Sequence, residues 1–178
     1  MIRIAVCDDE LDQAEILRSS VTAWSNERCI HCHIDVFSSA EALWFSYEDA
    51  WYSILLLDVE MSGISGIDLA KRLRAAGNRA EIVFITSHFE FAGEGYEVDA
   101  LHYLIKPVTQ QKLFEVLDKA SARLSQESPS IIITCGGETI KIYEADIQYV
   151  ESFRHDIVIH AMNGEYRLKE SISAFENK

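Results

Sequence analysis

Ile54-Leu55-Leu56-Leu57-Asp58 is the stretch that decides the fold: an apolar run that ends abruptly in a carboxylate, with Gly63 and Gly66 just beyond. A short continuous apolar run bounded by turn residues predicts a strand buried on both faces. Asp58 then stands at the strand's carboxyl end, where open parallel sheets place their ligand sites. An ionised carboxylate there needs cations, donors or a metal around it, because an unpaired buried charge is costly. The rest of the chain has to supply those partners.

Working outward, Ile2–Cys7 reads as another buried strand, stopped by Asp8-Asp9-Glu10. From Leu11 the positions Ala14, Leu17, Val21 and Trp24 recur at helical spacing. Cys32–Phe37 alternates as a weaker second strand. Ser38 or Ser39 is placed to cap a helix holding Ala42, Leu43 and Phe45, with Glu41 and Glu48 on its other side. After the glycine loop, a helix over Ile67–Arg74 ends in a basic turn and Gly77. Ile82–Thr86 is a fourth strand, Phe89–Val98 a short glycine-weakened helix, and Ala100–Ile105 a fifth strand stopped by Lys106-Pro107. Val116, Leu117, Ala120 and Leu124 form the stripe of a last helix. Strands alternating with helices in this way predict an α/β fold, a five-stranded doubly wound parallel sheet.

Past the polar Gln126-Glu127-Ser128-Pro129-Ser130 the pattern changes. Ile131–Thr134, Ile140–Tyr143, Ile147–Glu151 and Ile157–His160 read as short strands, and Asn163-Gly164 is a hairpin signal. The expected organisation is therefore residues 1–124 as the α/β domain, 125–130 as linker and 131–178 as a β-rich fragment. A fragment of about 45 residues seldom builds a stable core alone.

The 178 residues carry a formal charge of −13, with 48% hydrophobic and 25% charged residues. That composition is ordinary for a globular protein. The acid excess, spread over both parts, opposes general affinity for phosphate backbones, which comes from clustered Lys and Arg. No apolar stretch is long enough to span a membrane, and the amino-terminal strand runs into acids rather than a cleavage site. A cytoplasmic protein is expected. Cys7, Cys29, Cys32 and Cys135 are too few and scattered for a disulfide scaffold.

The predicted strand ends collect Asp8 and Asp9, Asp58, Thr86 and Lys106. Carboxylates converging on one spot repel one another unless a hard divalent cation joins them, and Mg²⁺ suits such oxygen ligands. A hydroxyl and an ammonium beside the metal complete a cradle for a tetrahedral anion. Asp58 would be the nucleophile, forming an acyl phosphate.

At this point a resemblance becomes plain. VCDDE (6–10), LLLDVEMSGISG (55–66), FITS (84–87) and YLIKP (103–107) make residues 1 to about 124 resemble the receiver domain of bacterial two-component response regulators, a flavodoxin-like fold. The resemblance implies that Asp58 accepts a phosphoryl group from a partner histidine kinase. It implies that Asp9 and Asp58 ligate Mg²⁺, with Asp8 acting through water and the Glu60 backbone carbonyl completing the protein ligands. Thr86 and Lys106 would hold the phosphoryl oxygens, and the Lys106–Pro107 bond would be cis. Tyr103 matches the switch aromatic that turns inward as Thr86 moves toward the phosphate. Phosphorylation would then create a homodimer through the face of the fourth helix, fifth strand and fifth helix, where Tyr103, Glu97, Asp99 and Lys112 fall. Such a receiver phosphorylates itself from a donor and slowly dephosphorylates itself. Two departures stand out. Ser62 replaces the usual Pro and is expected to loosen the loop, and Glu60 occupies a variable position whose side chain is expected to affect phosphoryl lifetime.

FEFAGEGYEVDALHYLIKPV (89–108) further resembles receivers joined to LytTR-type DNA-binding domains. DIQYVES (146–152) and NGEY (163–166) make residues 131–178 similar to the first half of that all-β domain. The implied parent is a transcription regulator. The missing half would carry much of the DNA-contacting surface, so weak or absent DNA binding is expected of this chain, and strand exchange with another chain is open. Arg154 and His155 fall near a base-contacting loop of that family, or on a solvated turn.

Cys29-Ile30-His31-Cys32-His33 has a haem-attachment spacing and half of a zinc site, but no second ligand pair lies near it. Trp44, Phe45, Tyr47, Trp51 and Tyr52 are expected to be packing residues rather than a partner surface. Two other functions fit less well. An Asp-nucleophile phosphohydrolase would carry a second Asp two positions on, where this chain has Glu60. A phosphorylation-independent interaction module would have no need of Asp9, Asp58, Thr86 and Lys106 together.

Overall fold

The computed structural model describes residues 1–169 apart from 48–50, 89–92, 94–96, 128–129, 136, 154–155 and 163. The order of the larger elements is β1 (Ile2–Cys7), α1 (Leu11–Arg28), β2 (Cys32–Phe37), α2 (Ala40–Tyr47), β3 (Ile54–Leu57), α3 (Gly66–Ala75), β4 (Glu81–Thr86), β5 (His102–Ile105) and α4 (Gln110–Glu127). The helix expected over Phe89–Val98 falls mostly on residues outside those described.

The parallel sheet has the order β2-β1-β3-β4-β5. β1 pairs with β2 on one side and β3 on the other, so the winding direction reverses between β1 and β3. That reversal opens a crevice at the strands' carboxyl ends. The apolar runs behave as their composition demands. β3 and β4 are buried along their whole length, because helices cover both faces of the sheet. Leu55, Leu57, Ile82 and Phe84 pack with Ile67, Leu69, Ala70 and Leu73 of α3 in one core.

α3 starts at a cap, Ser65, one residue before Gly66. The Ser65 hydroxyl accepts from the Asp68 N–H at 3.1 Å and donates to the Asp68 carboxylate at 2.8 Å. Its end follows Arg74 with Gly77 at φ +82°. Ser39 caps α2, accepting from the Ala42 N–H at 3.2 Å. The facing of α2 differs from expectation. Ala40 and Leu43 are buried and Trp44 and Tyr47 pack against the core, whereas Ala42 is exposed and Phe45 is 75% exposed. Positions 40, 43, 44 and 47 share one side of a 3.6-residue repeat, and 42 and 45 lie on the other. The aromatic group is thus divided: Tyr52 is buried, and Trp51 is 68% exposed.

The chain divides into two compact units, Met1–Ser121 and Ala122–Lys178. α4 continues through Glu127, into the span expected to be linker. In the second unit β6 (Ser130–Cys135) and β7 (Glu138–Tyr143) form an antiparallel pair. After a one-turn 3₁₀ helix, β8 (Ile147–Phe153), β9 (Asp156–Ala161) and β10 (Gly164–Leu168) form an antiparallel sheet of order β10-β9-β8. Ile133, Ile142, Ile157, Ile159, Ala161 and Leu168 give this unit a small core of its own. Among the described residues, no helix is long and apolar enough to cross a membrane.

Candidate functional site

The ladder hydrogen bonds of the sheet run one step past the strands and fix the residues that follow them. Asp8 N–H donates to the Phe37 carbonyl at 3.1 Å, Asp58 N–H to the Cys7 carbonyl at 2.9 Å, and Lys106 N–H to the Thr86 carbonyl at 2.9 Å. The backbones of Asp8, Asp58, Thr86 and Lys106 are therefore placed by the same pairing that holds the sheet. The side chains of Asp8, Asp58 and Lys106 meet at one end of it.

Lys106 Nζ donates to Asp58 Oδ2 at 2.7 Å and to Asp8 Oδ2 at 2.8 Å. The other oxygen of Asp58 accepts from the Val59 N–H at 2.6 Å. Asp8 Oδ1 accepts from the Glu10 N–H at 3.0 Å. Asp8 and Asp58 are buried, Thr86 is fully buried, and the Lys106 side chain is 12% exposed. Asp9 completes the group: one carboxylate oxygen each from Asp8, Asp9 and Asp58 lies within 4.8 Å of the others.

The charge balance says what the group can hold. Burial of Asp8 pushes its carboxyl up, against the Lys106 bond that pulls it down. Burial would lower Lys106, but its bonds to Asp58 and Asp8 outweigh that and raise it, so the ammonium persists. Asp9 is held below the usual carboxylate range, chiefly by the Ser62 N–H. One ammonium among three clustered carboxylates leaves an excess of negative charge facing a crevice. A small, hard, oxygen-seeking divalent ion fits that donor set, and Mg²⁺ has these properties. Cys7, directly before Asp8, is pushed up to about 12 by burial and then by Asp8, so its thiol stays protonated and inert.

The structure brings together Asp8, Asp9, Asp58 and Lys106 and sets Thr86, fully buried, at the end of β4, and the Lys106–Pro107 bond is cis. The Glu60 side chain turns elsewhere, to His88 Nε2 at 2.8 Å. Tyr103 packs on Phe84, with ring centroids 5.9 Å apart, and its hydroxyl donates to the His88 carbonyl. The His88 N–H in turn donates to Thr86 Oγ1 at 3.3 Å. His88 thus links the two residues expected to switch, a role the sequence did not signal. Ser62 also departs from expectation. Its N–H and hydroxyl donate to Asp9 Oδ2 at 2.9 and 3.0 Å, which ties the loop down rather than loosening it. Arg154 and His155 lie outside the described residues. Among the described residues, Cys29 and Cys32 belong to no metal-ligating group, and all four cysteines are free.

A profile of the response regulator receiver domain matches residues 4–118. With the β2-β1-β3-β4-β5 sheet and its acidic end, this places the chain in the response regulator receiver family. Over its full length the chain is 26% identical to the sensory transduction protein LytT of Bacillus subtilis, of which it spans 76%. It is 34% identical over 80 residues to the sensory transduction protein LytR of Staphylococcus saprophyticus, covering 45% of this chain and 31% of that protein. Among solved structures, the response regulator TrrA of Thermotoga maritima, in complex with Mg²⁺ and BeF, superimposes with a TM-score of 0.59 at 26% identity. That match covers 67% of this chain and 99% of TrrA. The chain is therefore a receiver with Lyt-type two-component regulators among its relatives, and its carboxyl-terminal β unit fits part of a LytTR domain.

Proposed function

We propose that Asp58 takes a phosphoryl group from a histidine kinase and that the acyl phosphate switches a transcriptional output. The observation that carries this reading is the placement of Lys106 Nζ between Asp58 and Asp8, with Asp9 in the same cluster. An Asp58 oxygen attacks phosphorus, the phosphorus–nitrogen bond of the donor histidine breaks, and the imidazole keeps the bonding pair. Lys106 releases Asp58 Oδ2 and follows the incoming phosphoryl oxygens, with the Thr86 hydroxyl on another. Asp8, Asp9, Asp58 and the Glu60 carbonyl would hold Mg²⁺, which supplies charge neutralisation at the phosphoryl group when bound. Attack of water on the aspartyl phosphate later returns Asp58 and inorganic phosphate.

The readout begins at Thr86. Its hydroxyl now accepts from the His88 N–H, and Tyr103 is bonded to the His88 carbonyl. Drawing Thr86 toward a phosphate breaks the first bond and frees Tyr103 to turn inward, altering the β5–α4 surface through which we expect homodimers to form. Residues 1–124 act as receiver, and residues 131–178 serve as part of a LytTR-type module. DNA contact would belong to the LytTR-type module, acting in the cytoplasm. The orientation of the Glu60 carboxylate toward His88 weighs against an acid/base role in a phosphohydrolase.

The test is intact mass after incubation with acetyl phosphate and Mg²⁺, alongside Asp58→Asn. One phosphoryl adduct is expected on the native chain, absent from the variant and absent in EDTA. No adduct under any condition would overturn the reading.

A further inference from the structure

The loop after Asp58 is pinned by carboxylates from two other parts of the chain. Asp9 Oδ2, in the β1–α1 turn, takes both donors of Ser62, at 2.9 Å from N and 3.0 Å from Oγ. Two residues on, the Ile64 N–H donates to Glu41 Oε1 of α2 at 3.0 Å. Glu41 lies so close that a Cβ at Gly63 would meet Oε1 at 2.6 Å. At the far end Gly66 N–H donates to the Val59 carbonyl at 3.0 Å, closing the loop on itself. The segment bearing the Glu60 carbonyl is thus fastened to Asp9 by one residue, Ser62.

We infer that Ser62 is a positioning residue of the divalent-cation centre, holding Asp9 at a fixed place against the loop that carries Glu60. This rests on the reading of the acidic cluster as a Mg²⁺ site. The physical reason is orientation. A carboxylate free to rotate must be ordered when the ion arrives, whereas one whose Oδ2 is held by two donors is already fixed in orientation. Hydrogen-bond partners of metal-ligating groups typically account for about 10–100-fold in affinity. Ser62 is exposed, so water competes for its bonds and the low end of that range applies. A proline here would have neither N–H nor hydroxyl, so the link depends on this chain's own residue.

The experiment uses the full chain and Mn²⁺, whose free form is counted by electron paramagnetic resonance, with Mg²⁺ as competitor. Ser62→Pro removes both donors and is expected to weaken binding on the order of tenfold. Ser62→Ala keeps the N–H and should lose about threefold, a fraction of that effect. Ser62→Thr keeps both donors and should stay within about twofold of the native chain, a rescue that a purely structural role would not give. Urea unfolding in EDTA should be the same for the native chain and the Ala and Thr variants. If Ser62→Pro does not fold, the Ala-against-Thr comparison decides. Equal affinities in all folded variants beside a native chain that binds, or tighter binding on losing a donor, would overturn the inference alone. A native chain that takes up neither ion would overturn the metal reading and the inference together.

Discussion

Gly66→Ala should damage both the fold and the chemistry, because the first residue of α3 lies against the backbone of Asp58, the proposed phosphoacceptor. A Cβ at Gly66 would lie 1.9 Å from the Asp58 carbonyl oxygen, 2.9 Å from its carbon and 3.3 Å from Val59 Cα. Ordinary contact begins at 3.4 Å, so the gap must open by about 1.5 Å (3.4 − 1.9). Neither side yields easily. β3 is buried and paired on both edges, and α3 has Ile67, Leu69, Ala70 and Leu73 packed in the core. Overpacking typically costs about 1–3 kcal/mol, and a clash of backbone with backbone belongs near 3. A displacement of about 1 Å at a reacting group costs on the order of 10²-fold in rate. Urea unfolding followed by circular dichroism and a time course of phosphoryl uptake from acetyl phosphate measure the two effects. Gly77→Ala is the control: nothing lies within 4 Å of its Cβ, and only the φ of +82° resists. It should cost about 1–2 kcal/mol and leave uptake unchanged. If Gly66→Ala unfolds no more readily than Gly77→Ala and is phosphorylated at the native rate, the close approach is not what sets the geometry of Asp58.

Lys106→Met leaves Asp8 and Asp58 buried without their shared cation, at an expected cost of about 3 kcal/mol in metal-free urea unfolding. Added Mg²⁺ should raise the melting temperature of this variant more than that of the native chain, and an equal rise would count against the charge argument. Asp118 accepts from Nε1 of the fully buried Trp24 at 2.8 Å and pairs with Arg28 at 3.1 Å. Asp118→Ala orphans the indole and should cost about 2 kcal/mol, whereas Asp118→Asn keeps an acceptor and should lose under about 1 kcal/mol. Because the Arg28 bond holds Asp118 below the usual carboxylate range, its contribution is full above about pH 4 and is lost as pH falls through the lowered native value. The acid limb of the stability profile should therefore be shallower in Asp118→Asn, as read by melting temperature between pH 2 and 5.

Residues attached to strand ends were legible in the sequence, because a buried parallel strand announces itself as an apolar run and its end as the first charge. Asp8, Asp58, Thr86 and Lys106 are of this kind. Helix facing was less legible where aromatic residues crowd, since Trp44, Phe45 and Tyr47 make almost any face of α2 look apolar. Least legible were the links between segments. Ser62 meets Asp9 across 53 positions, Glu41 meets Ile64 across 23, and Trp24 meets Asp118 across 94. No local pattern encodes such pairs, and they become visible only when the sheet order brings the loops together. The expectation that Ser62 loosens its loop failed for that reason. Loss of proline's rigidity is visible locally, whereas the tie to Asp9 is not.

β5 is followed by a lysine that must reach back 98 positions to Asp8. The site residues come from the ends of four separate strands, and pairings so distant in sequence are late to close. A growing polypeptide that has formed β1 through β4 holds its carboxylates without the Lys106 ammonium. Under the proposed function, phosphoryl uptake would therefore report docking of the fifth strand, because the site gains its ammonium in the same event that completes the sheet.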